Sequence, residues 1–302
     1  MPSYEFVTVD VFTDTLFGGN TLAVLPDASG LSDAEMQAIA REFNYSETTF
    51  VLPPEDPRHT AKVRIFTPAV EMPFAGHPNV GTGYVLASRA ATLPEHFTFE
   101  EKAGLVRVHL LKDRAGRLTG TRISAPQALS VGVAVPTDTV AACASLTSEE
   151  IATEAHEPLV ASVGTPFVIA EVTSRDALRR ALPNLGAFRR AMHDIPELGR
   201  IWFLHLYTRS EGEATRLACR MFAPLGGVAE DPATGSAAAT LAALLTSLAP
   251  GDTVDLAYDI TQGEEVGRPS RLFATARKTA EGPVLASVAG GCVTVMTGRI
   301  TV

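Results

Sequence analysis

Two short motifs in this sequence place polar side chains in the same order around a Pro and a Gly. The first motif spans residues 77–82 (HPNVGT) and the second spans residues 231–236 (DPATGS). Each begins with a titratable side chain, His77 or Asp231, and ends with a hydroxyl residue, which is Ser236 in the second motif. Imidazole, carboxylate and hydroxyl groups can orient a small substrate and move its protons. Gly and Pro are common before any helix, so it is the repeated polar residues that indicate a site.

The two motifs lie within a longer internal repeat. Residues 64–87 and 220–243 both open with Arg-x-Phe-x-Pro and continue into the motifs, with a small difference in length between the two matches. A two-copy repeat with a period of about 150 residues is too long for a solenoid. It predicts two similar domains, residues 1–125 and 126–302, with a site where the halves face each other. The sequence leaves open whether the C-terminal strands complete the first half.

Each motif predicts a buried helix. Pro suits the first turn of a helix, and residues 237–245 are apolar on nearly every side, as in a helix that is buried all round. Because strand-like segments dominate the rest, we expect a curved sheet around each helix. A helix start offers free N–H groups and a partial positive charge, and Gly76 and Gly235 let a ligand approach the backbone closely. Two such starts would hold a small anionic substrate without Lys or Arg.

Local patterns predict the remaining elements. The Ser32 and Glu35 pair forms a capping box that begins a helix running to about Phe43. Residues 97–111 predict a hairpin that turns near residues 102–104. Runs rich in β-branched and aromatic residues predict further strands at 4–12, 21–25, 48–52, 62–66, 159–172, 201–208, 216–222 and the C-terminus.

Composition narrows the functional classes. A formal net charge of -9 and a pI near 5.3 argue against nucleic-acid binding. No apolar run reaches the length of a membrane span, and the N-terminus lacks a signal-peptide pattern, so we expect a cytoplasmic protein. The 3 cysteines are widely separated along the chain, a pattern that indicates reduced thiols. The histidines lack metal-ligand spacing, and no nucleotide motif is present, so neither a metal nor a cofactor is indicated.

Together with FGGNTLAV (17–24), NYSETTFV (44–51) and QGEEVGRPS (262–270), the motifs resemble the phenazine-biosynthesis PhzF-like family. The matching pieces are spread over almost the whole chain. The resemblance implies an α+β fold of the diaminopimelate epimerase type. In this fold, two pseudo-symmetric domains each wrap a β-barrel-like sheet around a central buried helix. It further implies a homodimer that uses no cofactor.

The resemblance also implies roles for particular residues. Glu47, from the SET-type motif, would be the acid and base that shuttles a proton. His77, Asp231 and Ser236 would orient or polarise the substrate. A carboxylate in an apolar cleft can both take and return a proton, because burial raises its pKa. Asn20, which follows a Gly-Gly pair, joins Gly76 and Gly235 as a candidate for substrate binding.

The sequence therefore predicts a cofactor-independent isomerase that moves a proton on a small carboxylic-acid metabolite. Alternatives are an amino-acid racemase or epimerase, a hydroxy-amino-acid dehydratase, and a non-catalytic binding protein. Racemases of this fold use one cysteine at each helix start, where this chain has Ala75 and about Pro232. A simpler interpretation makes Glu47 a solvated strand end, His77 a residue bonded to backbone and Asp231 a helix cap.

Overall fold

The computed structural model describes all 302 residues, which divide into two compact units. Unit 1 comprises Met1–Pro126 and Val288–Val302, and unit 2 comprises Gln127–Ser287. Both units mix helices and strands, which confirms the predicted α+β class.

Eighteen strands and six α-helices follow one another along the chain. The strands are β1 (Ser3–Val11), β2 (Asn20–Leu25), β3 (Glu47–Leu52), β4 (Ala61–Phe66), β5 (Glu71–Met72), β6 (His96–Glu101), β7 (Gly104–Lys112), β8 (Leu118–Ser124), β9 (Ser130–Ala134), β10 (Ile151–Ala152), β11 (Leu159–Ser162), β12 (Pro166–Val172), β13 (Leu204–Ser210), β14 (Glu213–Ala223), β15 (Val228–Asp231), β16 (Val254–Gln262), β17 (Ser270–Lys278) and β18 (Leu285–Thr301). The helices are α1 (Asp33–Phe43), α2 (Gly76–Arg89), α3 (Thr137–Ala144), α4 (Arg175–Arg180), α5 (Leu185–Asp194) and α6 (Gly235–Leu248).

Unit 1 is a closed barrel around α2. Its strands pair in the cyclic order β1, β2, β3, β4, β6, β7, β8, β18 and back to β1. Ten of the 14 residues of α2 are buried. The helix packs closely on the barrel wall, because a Cβ at Gly81 would lie 2.6 Å from the Leu22 side chain. Gly81 is therefore needed for helix packing.

Unit 2 repeats this plan around α6, of which 11 of 14 residues are buried. Its strands pair in the order β9, β11, β12, β13, β14, β16 and β17. The start of β18 joins the two ends of this sheet, since Thr275 Oγ1 lies 2.7 Å from Ser287 Oγ and Leu129 N donates to Val284 O. Helices α3, α4 and α5 contribute to a separate apolar cluster that includes Phe188 and Trp202.

Most predicted elements occur, with some shifted boundaries. The capping box of Ser32 and Glu35 is present, and α1 ends at Phe43 as predicted. Helix α6 starts at Gly235, after Pro232 as predicted, whereas α2 starts at Gly76, two residues before Pro78, which lies in its first turn. The strand predicted from residue 201 starts only at Leu204. No helix has both the length and the apolar character needed to cross a bilayer.

Candidate active site

Glu47 stands at the start of β3 and faces the central helix of unit 1. Strands β2 and β3 run parallel, with Leu22 level with Glu47. Residues that are level in paired strands project to the same face, and Leu22 projects toward Gly81 of α2. The Glu47 side chain is only 17% exposed. This burial excludes the simpler interpretation of a solvated strand end.

His77, the second residue of α2, meets Glu47. Its Nε2 atom lies 3.5 Å from Glu47 Oε2, and its side chain is 6% exposed. Burial lowers the pKa of His77 to about 3, and a hydrogen bond to the Thr21 backbone opposes this shift in part. The imidazole is therefore neutral near pH 7 and forms no ion pair with the carboxyl group. The contact is not a hydrogen bond either, because Nε2 has no hydrogen-bond partner.

The hydrogen bonds of the ring assign its tautomer. Because Nε2 has no partner, the nitrogen that bonds to the Thr21 backbone is Nδ1. A backbone bond that raises the pKa of His77 must accept a proton from the ring, so Nδ1 carries the hydrogen. Nε2 then presents its lone pair to the Glu47 carboxyl. A carboxylate and a lone pair cannot bond to each other, whereas a protonated carboxyl can donate to Nε2.

The turn before β2 fixes the backbone that His77 uses. Gly19 has φ +61°, and a Cβ there would lie 2.3 Å from the Val11 carbonyl oxygen, so the turn requires glycine. Buried Asp10 accepts hydrogen bonds from Phe17 N at 2.7 Å and from Thr21 Oγ1 at 3.3 Å. Sequence reasoning missed Asp10, although a carboxylate in the middle of the apolar run VTVDVF was a signal.

Asn20 is the first residue of β2 and is 2% exposed. It precedes Leu22 by two positions, so it projects to the same face of the strand as Leu22 and Glu47. Gly76 is the first residue of α2 and is buried. The structure therefore brings together four predicted site residues of unit 1, namely Asn20, Glu47, Gly76 and His77.

Asp231 ends β15 in unit 2 and is held by its own motif. Its Oδ2 accepts a hydrogen bond from Thr234 Oγ1 at 2.5 Å. Thr234 is the N-cap of α6, and its own side chain makes no capping hydrogen bond. Asp231 is therefore bonded to the N-cap residue of α6, and its role as a helix cap stays a prediction. Gly235 and Ser236 follow as the first two residues of α6, and Ser236 is partly exposed.

The segment QGEEVGRPS packs against the Asp231 motif. Gln262 Nε2 donates to the Asp231 carbonyl oxygen at 2.8 Å, and Gln262 Oε1 accepts from Thr234 N at 3.3 Å. Gly263 has φ +81°, and a Cβ there would lie 2.5 Å from the Pro232 carbonyl oxygen. Gln262 therefore positions the residues around Asp231. No role for Gln262 was predicted from the sequence.

In each copy of the repeat, an arginine stabilises the hairpin that precedes the motif. Arg64 pairs with Glu71 at 2.7 Å, and Arg220 pairs with Glu230 at 2.6 Å. Each arginine also lies over the phenylalanine of its own Arg-x-Phe pattern, at 5.1 Å in unit 1 and 4.9 Å in unit 2. These pairs join β4 to β5 and β14 to β15, the hairpins that precede the motifs. The spacing shared by the two copies of the repeat therefore has a structural cause.

The cysteines are unsuited to base catalysis. Cys143, Cys219 and Cys292 are all buried, and none occurs in either motif. Burial raises the pKa of Cys143 to about 12 and raises the pKa of the other two further. All three thiols are therefore protonated near neutral pH, whereas the reactive form of cysteine is the thiolate.

Two similar proteins are named as isomerases. A relative from Pseudomonas fluorescens, named trans-2,3-dihydro-3-hydroxyanthranilate isomerase, is 35% identical over 98% of this chain and 99% of its own. A protein from Mesorhizobium japonicum, named as an uncharacterized isomerase, is 37% identical over 99% of both chains.

The fold comparison points the same way. The crystal structure of the PhzF-family phenazine biosynthesis protein from Bacillus anthracis superposes with a TM-score of 0.87, at 25% identity and over 100% of both chains. Residues 9–298 match the family described as phenazine biosynthesis-like protein, PhzC-PhzF. Both the fold and the isomerase class predicted from the sequence are confirmed, and the chain belongs to the PhzC-PhzF family of phenazine biosynthesis-like proteins.

Proposed function

We propose that this isomerase moves a proton between carbon atoms of a small carboxylic-acid metabolite, with Glu47 as the acid and base. The observation that carries the proposal is the contact of 3.5 Å between Glu47 Oε2 and the Nε2 atom of a neutral His77. Proton removal from carbon needs a positioned base with restricted access to water. The Glu47 side chain, at 17% exposure, meets both conditions.

Each step leaves the proton on a named group. The Glu47 carboxylate takes a proton from a substrate carbon, and the electron pair of the broken C–H bond passes into the conjugated system of the substrate. The new carboxyl O–H donates to His77 Nε2, which holds the acid in place. The same carboxyl then returns the proton to a second carbon. Because one group takes and returns the proton, we expect transfer on one face of the substrate.

The substrate class follows from groups that can bind an anion. The N-cap residues of α2 and α6, Ala75 and Thr234, make no capping hydrogen bond with their side chains, so the N–H groups at these helix starts suit a carboxylate. We propose that Asn20, Asp231 and Ser236 orient the substrate, together with the backbone at Gly76 and Gly235. The name of the Pseudomonas fluorescens relative makes trans-2,3-dihydro-3-hydroxyanthranilate the first compound to test.

Hydrogen exchange in heavy water tests the role of Glu47. The purified protein is incubated in heavy water with this compound and with a panel of small carboxylic acids, and deuterium uptake is followed by mass spectrometry. We expect Glu47→Gln to lower the exchange rate by about 10²- to 10⁴-fold, the usual contribution of a general base. Glu42→Gln, at an exposed position of α1, is the matched control.

Folding of both variants is checked by circular dichroism. A folded Glu47→Gln protein that exchanges hydrogen as fast as the wild type would refute Glu47 as the base. Tight binding of a panel member without any exchange by the wild type would instead support a non-catalytic binding protein.

A further inference from the structure

A carboxyl group in β6 occupies a position that belongs to the core. Inward and outward side chains alternate along β6, and the inward Phe97 and Phe99 are 6% and 0% exposed. Glu101 takes the next inward position. Both of its carboxyl oxygens are buried, and neither has a hydrogen-bond partner. Gly104, which lies opposite in β7, adds no side chain there.

Asn79, in the first turn of α2, lies beside this carboxyl group, and its Oδ1 atom also lacks a partner. Its Nδ2 donates to the Ala75 carbonyl oxygen at 3.0 Å, which fixes the orientation of the amide. Its Oδ1 is buried without a donor. An acceptor without a donor is costly in the interior. A proton on the Glu101 carboxyl would supply that donor and would also remove the charge.

The charged neighbours of Glu101 are engaged elsewhere. Lys102, the next residue, bonds to Glu71 of β5 at 2.5 Å. Glu100, the residue before, projects to the outer face and accepts from the backbone of residues 55 and 56 and from His59. His77, on the facing helix, is neutral. Burial raises the pKa of Glu101 from 4.5 to about 8, and Asn79 offsets this shift only in part.

The hairpin that carries Glu101 is tied to the segment entering α2. Ala103 N donates to the Pro73 carbonyl oxygen at 3.1 Å. Asn79 follows His77 by two residues in the same turn. A bond between Glu101 and Asn79 would therefore restrain the turn that holds His77 against Glu47.

We propose that Glu101 is a positioning residue of the unit 1 site. As a neutral carboxylic acid it donates to Asn79 Oδ1 and fixes the turn that carries His77. The effect on catalysis rests on the proposed function, whereas the protonation of Glu101 does not. Ionisation of Glu101 removes the donor, so turnover declines as pH rises through the titration of this group.

The first test observes the carboxyl group directly. Carbon-13 NMR of protein labelled at the glutamate carboxyl carbon follows each glutamate between pH 4 and pH 9. We expect one resonance to titrate near pH 8, to be absent from Glu101→Gln, and to persist in Glu47→Gln and in the exposed control Glu95→Gln. The absence of any glutamate that titrates above pH 6.5 would overturn the proposal, whatever the activity.

The second test measures turnover. We expect Glu101→Ala to lower kcat by about 10²-fold, the effect of a small displacement of a catalytic group. Glu101→Gln, whose amide can still donate to Asn79, should restore turnover and abolish the decline above pH 8. A Glu101→Gln protein that is folded but as inactive as Glu101→Ala would overturn the positioning role. Full exchange activity in Glu47→Gln would refute the proposed function, while the NMR titration of Glu101 would stand.

Discussion

The pH dependence of stability gives a sharp test of the buried groups, beginning with Glu101. Its pKa is about 8 in the folded protein, against an ordinary value of 4.5. Between these values the folded chain holds a proton that the unfolded chain has released. Stability then falls as pH rises, by about 1.4 kcal/mol per pH unit. At pH 7 the accumulated loss relative to pH 4.5 is about 3 kcal/mol.

Two buried histidines act in the opposite direction. Burial lowers the pKa of His77 and of His205, a fully buried residue of β13, from 6.5 to about 3. Between these values the unfolded chain binds protons that the folded chain does not. Stability therefore falls on acidification below pH 6.5, by about 1.4 kcal/mol per pH unit for each histidine.

The two effects together predict a maximum of stability near pH 6.5. Between pH 6.5 and pH 8 Glu101 dominates, and stability falls as pH rises. Below pH 6.5 the two histidines outweigh Glu101, and the net slope is about 1.4 kcal/mol per pH unit in the other direction. Urea unfolding followed by circular dichroism at half-unit pH steps measures the curve. We expect Glu101→Gln to lose the decline between pH 6.5 and pH 8 and Glu95→Gln to keep it. A decline of the same slope in Glu101→Gln would refute the reasoning.

Two further predictions concern packing and buried charge. Gly81→Ala should destabilise unit 1 by about 1–3 kcal/mol through overpacking, measured by thermal unfolding. Gly186→Ala, whose new Cβ would meet its nearest atom at 3.4 Å, should change stability little. Arg220→Ala should cost about 3–5 kcal/mol, because Glu230 would remain buried without its partner. Arg64→Ala should lower the free energy of unfolding by less, because Glu71 would still pair with Lys102. Equal losses for the two variants in urea unfolding would contradict this account.

Periodicity and repetition in the sequence were enough to predict the framework of the fold. The repeat predicted two buried helices, and α2 and α6 each lie inside a sheet. The capping box predicted the start of α1 correctly, because both of its hydrogen bonds are local in the chain. The prediction failed at the start of α2, which was expected to follow Pro78 and instead begins two residues before it.

The residues that were missed have roles that depend on distant parts of the chain. Nothing local shows that Gln262 reaches Asp231, or that Asp10 holds the turn before β2. In the sequence, Glu101 is only the last residue of an alternating strand pattern. Its burial depends on packing against α2, which that pattern does not show. Glu47 and His77 were predicted as site residues, but their contact and the neutral state of the imidazole required coordinates.

The closure of the unit 1 barrel has a consequence for folding during synthesis. Strand β18, the last strand in chain order, pairs with β1 from Ser3 opposite Thr301 to Val11 opposite Cys292. Until the ribosome has made β18, the free edges of β1 and β8 can pair with another chain. Pairing of such distant segments is also slow. Nascent chains of this protein should therefore be most prone to aggregation, and most dependent on chaperones, in the interval before β18 is synthesised.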